Sequence, residues 1–429
     1  MREDFIAYLW KHRLLRAKPH PMFSVRGEPV EILDPGQENM HAGPDFFAAR
    51  VRIGDTLWVG NVEVHVRSSS WFAHGHHEDH AYNNIILHVV YLFDKEVVNQ
   101  QGEPLTHLEV KSYFDQGLQQ NYRLLLGSKS WIPCENLMDR VDPLVFKHWL
   151  YRLSVCRLER KTKEVVQYLH YFSHHWEQLF LFMLCRQLGG KANATTFGML
   201  VQRIPYRVLA RNYDQLTVLE ALLLGQAGLL EKDFSEYYPC MLQNEYRYLK
   251  KKYPLPQPLQ TNLWKYARMR PAGFPDLRIA QLAMIYHLHH GQLFNKILGM
   301  KETSAYSRLL TVSPSGYWNN HYRLDKQSGS REKKLGRETI NAILINALAP
   351  VLFVYGKEKN KPEMTEYIIQ LLMSLPPEQN QIIKRWLQIA GSPKCAAESQ
   401  GLLELYKYYC IPRKCLNCVA GHAILGKNI

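Results

Sequence analysis

Apolar and polar positions change their rhythm once along this chain, near residue 143. Ahead of that point short alternating segments dominate, and after it apolar residues recur at helical spacing. At the front, Phe5, Leu9 and the Ala7/Trp10 pair share one side of a predicted helix over residues 3–15, which stops before Pro19 and Pro21. Val30 and Ile32, alternating with Glu31 and Leu33, predict a short strand closed by the turn Asp34-Pro35-Gly36. A hairpin follows: Val51 and Ile53 face one way, Arg50 and Arg52 the other, and Gly54-Asp55 makes a two-residue turn. Its returning strand, about 57–67, puts Trp58, Val62, Val64 and Val66 on one face and Asn61, Glu63, His65 and Arg67 on the other. The apolar run 85–92, with His88 inside it, predicts a strand buried on both faces, and another strand is expected near 105–111.

Downstream, the helical period predicts helices over 146–158, 176–188, 216–230, 277–288, 340–355, 367–375 and 382–390. The segment 325–336, with its lysines and glycines, is the expected mobile loop, and no internal repeat is visible. The expected fold is therefore an α+β N-terminal domain with a small mixed sheet (1–130), then a large all-α domain (131–390). A cysteine-rich segment (391–429) is expected to pack on the helices.

A chain of 429 residues has room for two or three domains. Its net charge of +14 is unevenly spread: residues 1–130 hold 13 Lys+Arg against 16 Asp+Glu, and the remainder 40 against 23. A basic body of this kind suits a phosphate backbone, so the expected partner is DNA or RNA. No uninterrupted apolar run nears the ~20 residues of a membrane span, and the acidic start MREDF is unlike a signal peptide. A cytoplasmic protein without a membrane partner is expected; its oligomeric state is left open.

Candidate chemistry gathers between residues 42 and 91, where Asp45, Glu63, His65, His74, His76, Asp79 and His88 fall within fifty residues. Carboxylates and neutral imidazoles are the usual protein ligands of divalent metals. Glu63 and His65 project from one face of a strand, and the hairpin can bring Asp45 beside them. A second arrangement from the same stretch is a histidine-rich transition-metal site built from His65, His74 or His76, Asp79 and His88. Trp71 and Tyr82 are expected to be packing residues.

Pro44-Asp45, followed eighteen residues later by Glu63-Val64-His65, resembles the PD-(D/E)xK nuclease superfamily, whose core runs αβββαβ. The resemblance implies that Asp45 and Glu63 hold Mg²⁺ or Mn²⁺, that the residue at position 65 orients or deprotonates water, and that Glu3 is a further carboxylate. Here position 65 is His where the family pattern has Lys, and the link from Arg67 to Asn84 is short for the usual helix. Histidine can still serve as base or ligand. The longer strings GPDFFAAR, GNVEVHV, SWFAHGHHEDHAYNNIILHVV, LEALLLGQAGLL and YYCIPRKCLNCVAG together resemble a bacterial family of unknown function along the whole chain.

Of eight cysteines, Cys134, Cys156, Cys185 and Cys240 are scattered and read as small buried apolar residues. Cys410-x4-Cys415-x2-Cys418, with Cys395 or His422 as a fourth ligand, is a candidate structural Zn²⁺ site. The nuclease resemblance makes an iron–sulfur cluster the alternative, and four reduced thiols the third reading. The stretches 245–253, 265–271 and 317–323 mix basic and aromatic residues, as single-stranded nucleic-acid surfaces do. LEALLLGQAGLL lacks the GK[ST] of a phosphate loop and reads as a close-packed helix. The function expected is a metal-dependent nuclease. The alternatives are a non-catalytic nucleic-acid-binding protein with a degenerate core, and a histidine-site metallohydrolase of a small substrate.

Overall fold

In the computed structural model, which describes residues 1–15, 21–39, 41–300 and 302–426, the chain forms two units. One comprises residues 1–142 together with 408–429, and the other 143–407. The expected boundary at 130 falls at 142, and the segment expected over 391–429 is divided, with 391–407 in the helical unit and 408–429 in the sheet unit. The physical tie is local to that unit: Arg413 donates to the carbonyl of Ser128 at 2.8 Å and to that of Leu126, while Asn121 Nδ2 donates to the Ile424 carbonyl at 3.2 Å.

The first unit opens with α1 (Glu3–Lys11), shorter than expected, in which Phe5, Leu9 and Trp10 are fully buried. Pro19 lies outside the described residues. The strands are β1 (Met22–Phe23), β2 (Pro29–Asp34), β3 (Gln37–Glu38), β4 (Phe46–Ile53), β5 (Thr56–Arg67), β6 (Ile85–Leu92) and β7 (His107–Glu109). They form one mixed sheet in the order β1-β2-β4-β5-β6-β7, with β3 beside β4. β1, β2, β4 and β5 pair antiparallel, and β5, β6 and β7 pair parallel. Gly54, at φ 59°, supplies the positive φ of the β4–β5 turn, and Ile53 faces Thr56 across it. Both faces of β6 are covered, so six consecutive residues, Ile85 to Val90, are buried, as expected of a strand in a parallel pairing.

The parallel connection between β5 and β6 contains one short helix, α2 (Ser70–Ala73), and a 3₁₀ turn, His80–Tyr82. Trp71 is fully buried beneath it and donates its indole N–H to the Val98 carbonyl at 3.0 Å, which fits the packing role expected of it. The unit continues with α3 (Gln116–Gly127), whose Tyr122 ring stacks on Phe5 and donates to Asp4 at 2.9 Å.

The second unit is helical. It begins with α4 (Pro143–Tyr171) and continues through α5 (Trp176–Leu188), α6 (Gly190–Arg203), α7 (Tyr206–Arg211), α8 (Leu216–Gln226), α9 (Tyr237–Lys252) and α10 (Pro275–Leu288). Further helices follow, of which Ala396–Leu405 lies along α4. Gly401 permits that approach, since a Cβ there would sit 2.2 Å from the Leu150 carbonyl oxygen. α8 is buried on every side, and Gly225 faces the Tyr246 ring at a distance no side chain fits. The expected helix over 340–355 is instead Arg337–Ile343 and Ala349–Glu358 joined by a π-helical turn, Leu344–Leu348. The whole span Arg337–Glu358 is long and apolar enough to cross a membrane, and 72% of its most apolar window is buried, as a core helix would be.

Segment 325–336 is more tied down than its composition predicts. Lys333 is buried and donates to the carbonyls of Trp318 and Asn319 at 2.8 and 2.7 Å. The aromatic residues of the basic stretches are largely structural as well: Trp318 is fully buried and donates to Glu220, Tyr317 donates to Glu236, and Tyr266 donates to Asp276.

Candidate metal centre

The centre forms where α1, β4 and β5 meet the short link after β5. Asp45 stands one residue before β4, and a register shift in β4 between Phe46 and Ala49, with Ala48 at φ 54°, turns the strand's entry toward β5. Such bulges re-aim neighbouring side chains. The result is a reciprocal clasp: the Asp45 N–H donates to Glu63 Oε2 at 3.1 Å, and the Val64 N–H donates to Asp45 Oδ2 at 3.0 Å. The convergence of Asp45 and Glu63 expected from the hairpin is therefore present.

The other oxygen of Glu63 faces imidazoles. Oε1 lies 3.2 Å from His76 Nε2 and 3.7 Å from His65 Nε2. His65 Nε2 in turn lies 3.0 Å from His74 Nδ1, and ligand atoms of His65, His74 and His76 all fall within 4.8 Å of one another. Adjacent donors around one ion with bonds near 2.1 Å are separated by about 3.0 Å at octahedral and about 3.4 Å at tetrahedral angles. The observed spacings centre on that range. His76 Nε2 is buried and makes no hydrogen bond despite its nearness to Glu63, the relation two ligands of a common cation would have. His65 and His76 are buried and His74 is exposed, so the cluster is open to solvent at His74.

Electrostatics agree with the geometry. Burial, then the charge of Glu63, lifts the Asp45 carboxyl to about 7; Glu3 adds to the rise, and the Val64 N–H and His76 oppose it. The charge of Glu3 on α1 is thus felt at Asp45. Burial, then His74 and His76, depresses His65 to about 3. A buried imidazole this reluctant to take a proton is neutral near pH 7, the form in which histidine can ligate a cation.

Behind the cluster, His65 Nδ1 meets His88 Nε2 at 2.8 Å, so His88 orients His65 and is itself held back from the centre. A neutral His65 has a single N–H and so donates to one of its two imidazole neighbours and accepts from the other. His107, on β7 in register with His88, extends the row through a ring contact of 5.1 Å. Tyr82 stacks on His76 with centroids 3.9 Å apart, and so positions a candidate ligand as well as packing. Asp79 does not join the group: its carboxylate accepts the Ala81 N–H at 2.9 Å and caps the 3₁₀ turn.

The chain matches a family model described as "Protein of unknown function (DUF2851)" over residues 3–381. It belongs to that family. No curated protein and no solved structure gives a significant match. The DUF2851 match takes in Glu3, Asp45, Glu63 and all the histidines of the centre, while Cys395, Cys410, Cys415 and Cys418 follow its last matched residue.

The cysteines regroup relative to expectation. Cys395 caps the helix Ala396–Leu405 within the second unit and lies in its apolar core, away from the other three in numbering and in unit. His422 Nε2 is turned to the Leu416 carbonyl. Cys410, Cys415 and Cys418 share a small cavity with Cys134, which the sequence pattern classed with the scattered thiols.

Proposed function

We propose that this protein is a metal-dependent hydrolase of phosphodiester bonds in DNA or RNA. The observation that carries the reading is the Glu63 carboxylate, which faces His65 and His76 with one oxygen and the Asp45 backbone with the other. Glu63, His65, His74 and His76 would hold the cation, and a donor set this rich in imidazole favours manganese, iron or zinc over magnesium. When bound, such an ion lowers the pKa of water and stabilises charge building on a phosphate. Asp45 and Glu3 stand at the acidic side of the group, and the exposed edge at His74 is where substrate would enter.

The choice of a phosphodiester rests on two supports. With the two-residue strands β1 and β3 set aside, the order α1, β2, β4, β5, α2, β6 is similar to the αβββαβ pattern of PD-(D/E)xK nucleases, with Asp45 before one hairpin strand and Glu63 and His65 on the next. The helical unit also has a cleft of about 710 Å³ lined by Arg207, Arg211 and Lys252, suited to phosphate. The three imidazoles favour a second reading, a metallohydrolase of a smaller ester, because many nuclease sites of this pattern use carboxylates and lysine.

The test is cleavage of labelled single- and double-stranded DNA and RNA by chelator-treated protein supplied with Mn²⁺, Zn²⁺, Fe²⁺ or Mg²⁺. Glu63→Gln and His74→Ala should each abolish metal-stimulated cleavage while leaving polynucleotide binding intact. Binding without cleavage under every metal would leave a non-catalytic nucleic-acid-binding protein. Metal-stimulated hydrolysis of small phosphoesters alone would favour the second reading.

A further inference from the structure

Four thiols from two stretches of the first unit, one at 134 and one over 410–418, line a single cavity. Cys134 precedes the 3₁₀ turn Glu135–Arg140, Cys410 ends a π-helical turn, Cys415 opens the 3₁₀ turn Cys415–Asn417, and Cys418 precedes the helix Val419–Ile424. All four are buried, none is in a disulfide, and together they line a cavity of about 10 Å³ closed by Leu125, Pro133, Tyr409 and Gly421.

The surrounding backbone is built to hold them there. Gly421 lies so close to Cys415 that a Cβ would fall 1.9 Å from the Cys415 carbonyl oxygen, and the Cys418 N–H donates to that oxygen at 3.2 Å. Arg413, at φ 56°, closes the loop between Cys410 and Cys415 and is anchored to the carbonyls that end α3. The site therefore does not depend on one flexible loop. Plain apolar packing would need only the volume of these side chains, and alanine or valine could supply it without four oxidisable groups around one cavity.

We infer that Cys134, Cys410, Cys415 and Cys418 are the four ligands of a thiolate-bound structural metal centre that joins the C-terminal segment to the sheet unit. Four thiolates around one cavity are the ligand set of a structural zinc ion and of an iron–sulfur cluster. Zinc entry at such a site forms four metal–sulfur bonds and releases the protons of those thiols to solvent. A cavity of about 10 Å³ takes a single ion directly, whereas a cluster requires its walls to stand further apart. The inference does not rest on the hydrolase reading, because its residues are distinct from those of the Glu63 centre.

The experiment uses full-length protein carrying Glu63→Gln and His74→Ala, so that the first centre cannot contribute, purified without air or chelator. Zinc, iron and acid-labile sulfide are counted per chain. About one zinc, or iron with matching sulfide and visible charge-transfer absorption, supports the inference and tells the two sources apart. Cys134→Ser should reduce that metal by tenfold or more, and Cys395→Ser should leave it unchanged. If Cys134→Ser does not fold, titration of the parent with a mercurial reagent replaces it: metal must leave in step with modification of these four thiols. Metal-free protein with all four thiols free or paired as disulfides, metal that survives Cys134→Ser, or metal retained after the four thiols are modified would each overturn the inference.

Discussion

Asp45→Asn in the chelator-treated protein isolates the repulsion that defines the Glu63 centre. Asparagine keeps an oxygen to accept the Val64 N–H, now made at 3.0 Å, but carries no charge. In the wild type the folded-state pKa of Asp45 is raised from 3.8 to about 7. Because the raised group is an acid, the folded state holds the proton more tightly than the unfolded one. Its contribution is complete below about pH 4 and is lost as pH climbs through 7. That displacement corresponds to about 4 kcal/mol in all, of which roughly 3 kcal/mol falls between pH 5 and pH 8. Glu63 shares the repulsion, so the expected loss over that window is about 1–2 kcal/mol. Amide hydrogen exchange of peptides from β4 to β6 reads this unit separately from the helices. The protection of Asp45→Asn relative to wild type should therefore rise about 5- to 30-fold between pH 5 and pH 8. A ratio that stays constant, or falls as pH rises, would refute the argument that unscreened like charge burdens the metal-free centre.

Two further outcomes follow from contacts already described. His88→Ala removes the partner of His65 Nδ1 without touching the cation's proposed ligands, and should weaken Mn²⁺ or Zn²⁺ binding by about 10–100-fold in calorimetric titration. Gly225→Ala drives a methyl group to 2.2 Å from the Tyr246 ring, and should cost about 1–3 kcal/mol, seen as a lower urea midpoint of the helical unit.

Much of the front unit was legible because strands advertise themselves by a period of two. Glu63 and His65 could be placed on one strand face, and Asp45 near them, from the hairpin turn at Gly54-Asp55 alone. The partition of roles was not legible. That His65 is a buried group pinned by His88, that His76 faces Glu63 and that Asp79 caps a turn depend on how the irregular link from Ser68 to Asn84 folds back, and it has no period to read. Cys134 was missed for a different reason. Spacing reveals ligands that are neighbours in sequence, and nothing local in Pro133-Cys134-Glu135 points to residues beyond 400. The one available signal was that a set of three clustered cysteines leaves a fourth position to be filled, and Cys395 was merely nearer in number.

Because residues 408–429 belong with residues 1–142, the front unit is written in two instalments with the helices between them. On a ribosome its second instalment is translated only after the 265 intervening residues, about 13–50 s later at ordinary rates of synthesis. During that interval the surfaces of α1 and α3 that receive the tail stay bare, and the helical unit can settle first. A premature stop between codons 408 and 413 would spare the helices and remove Arg413 and Ile424, which tie this segment to α3 in the domain that bears the histidines and acids.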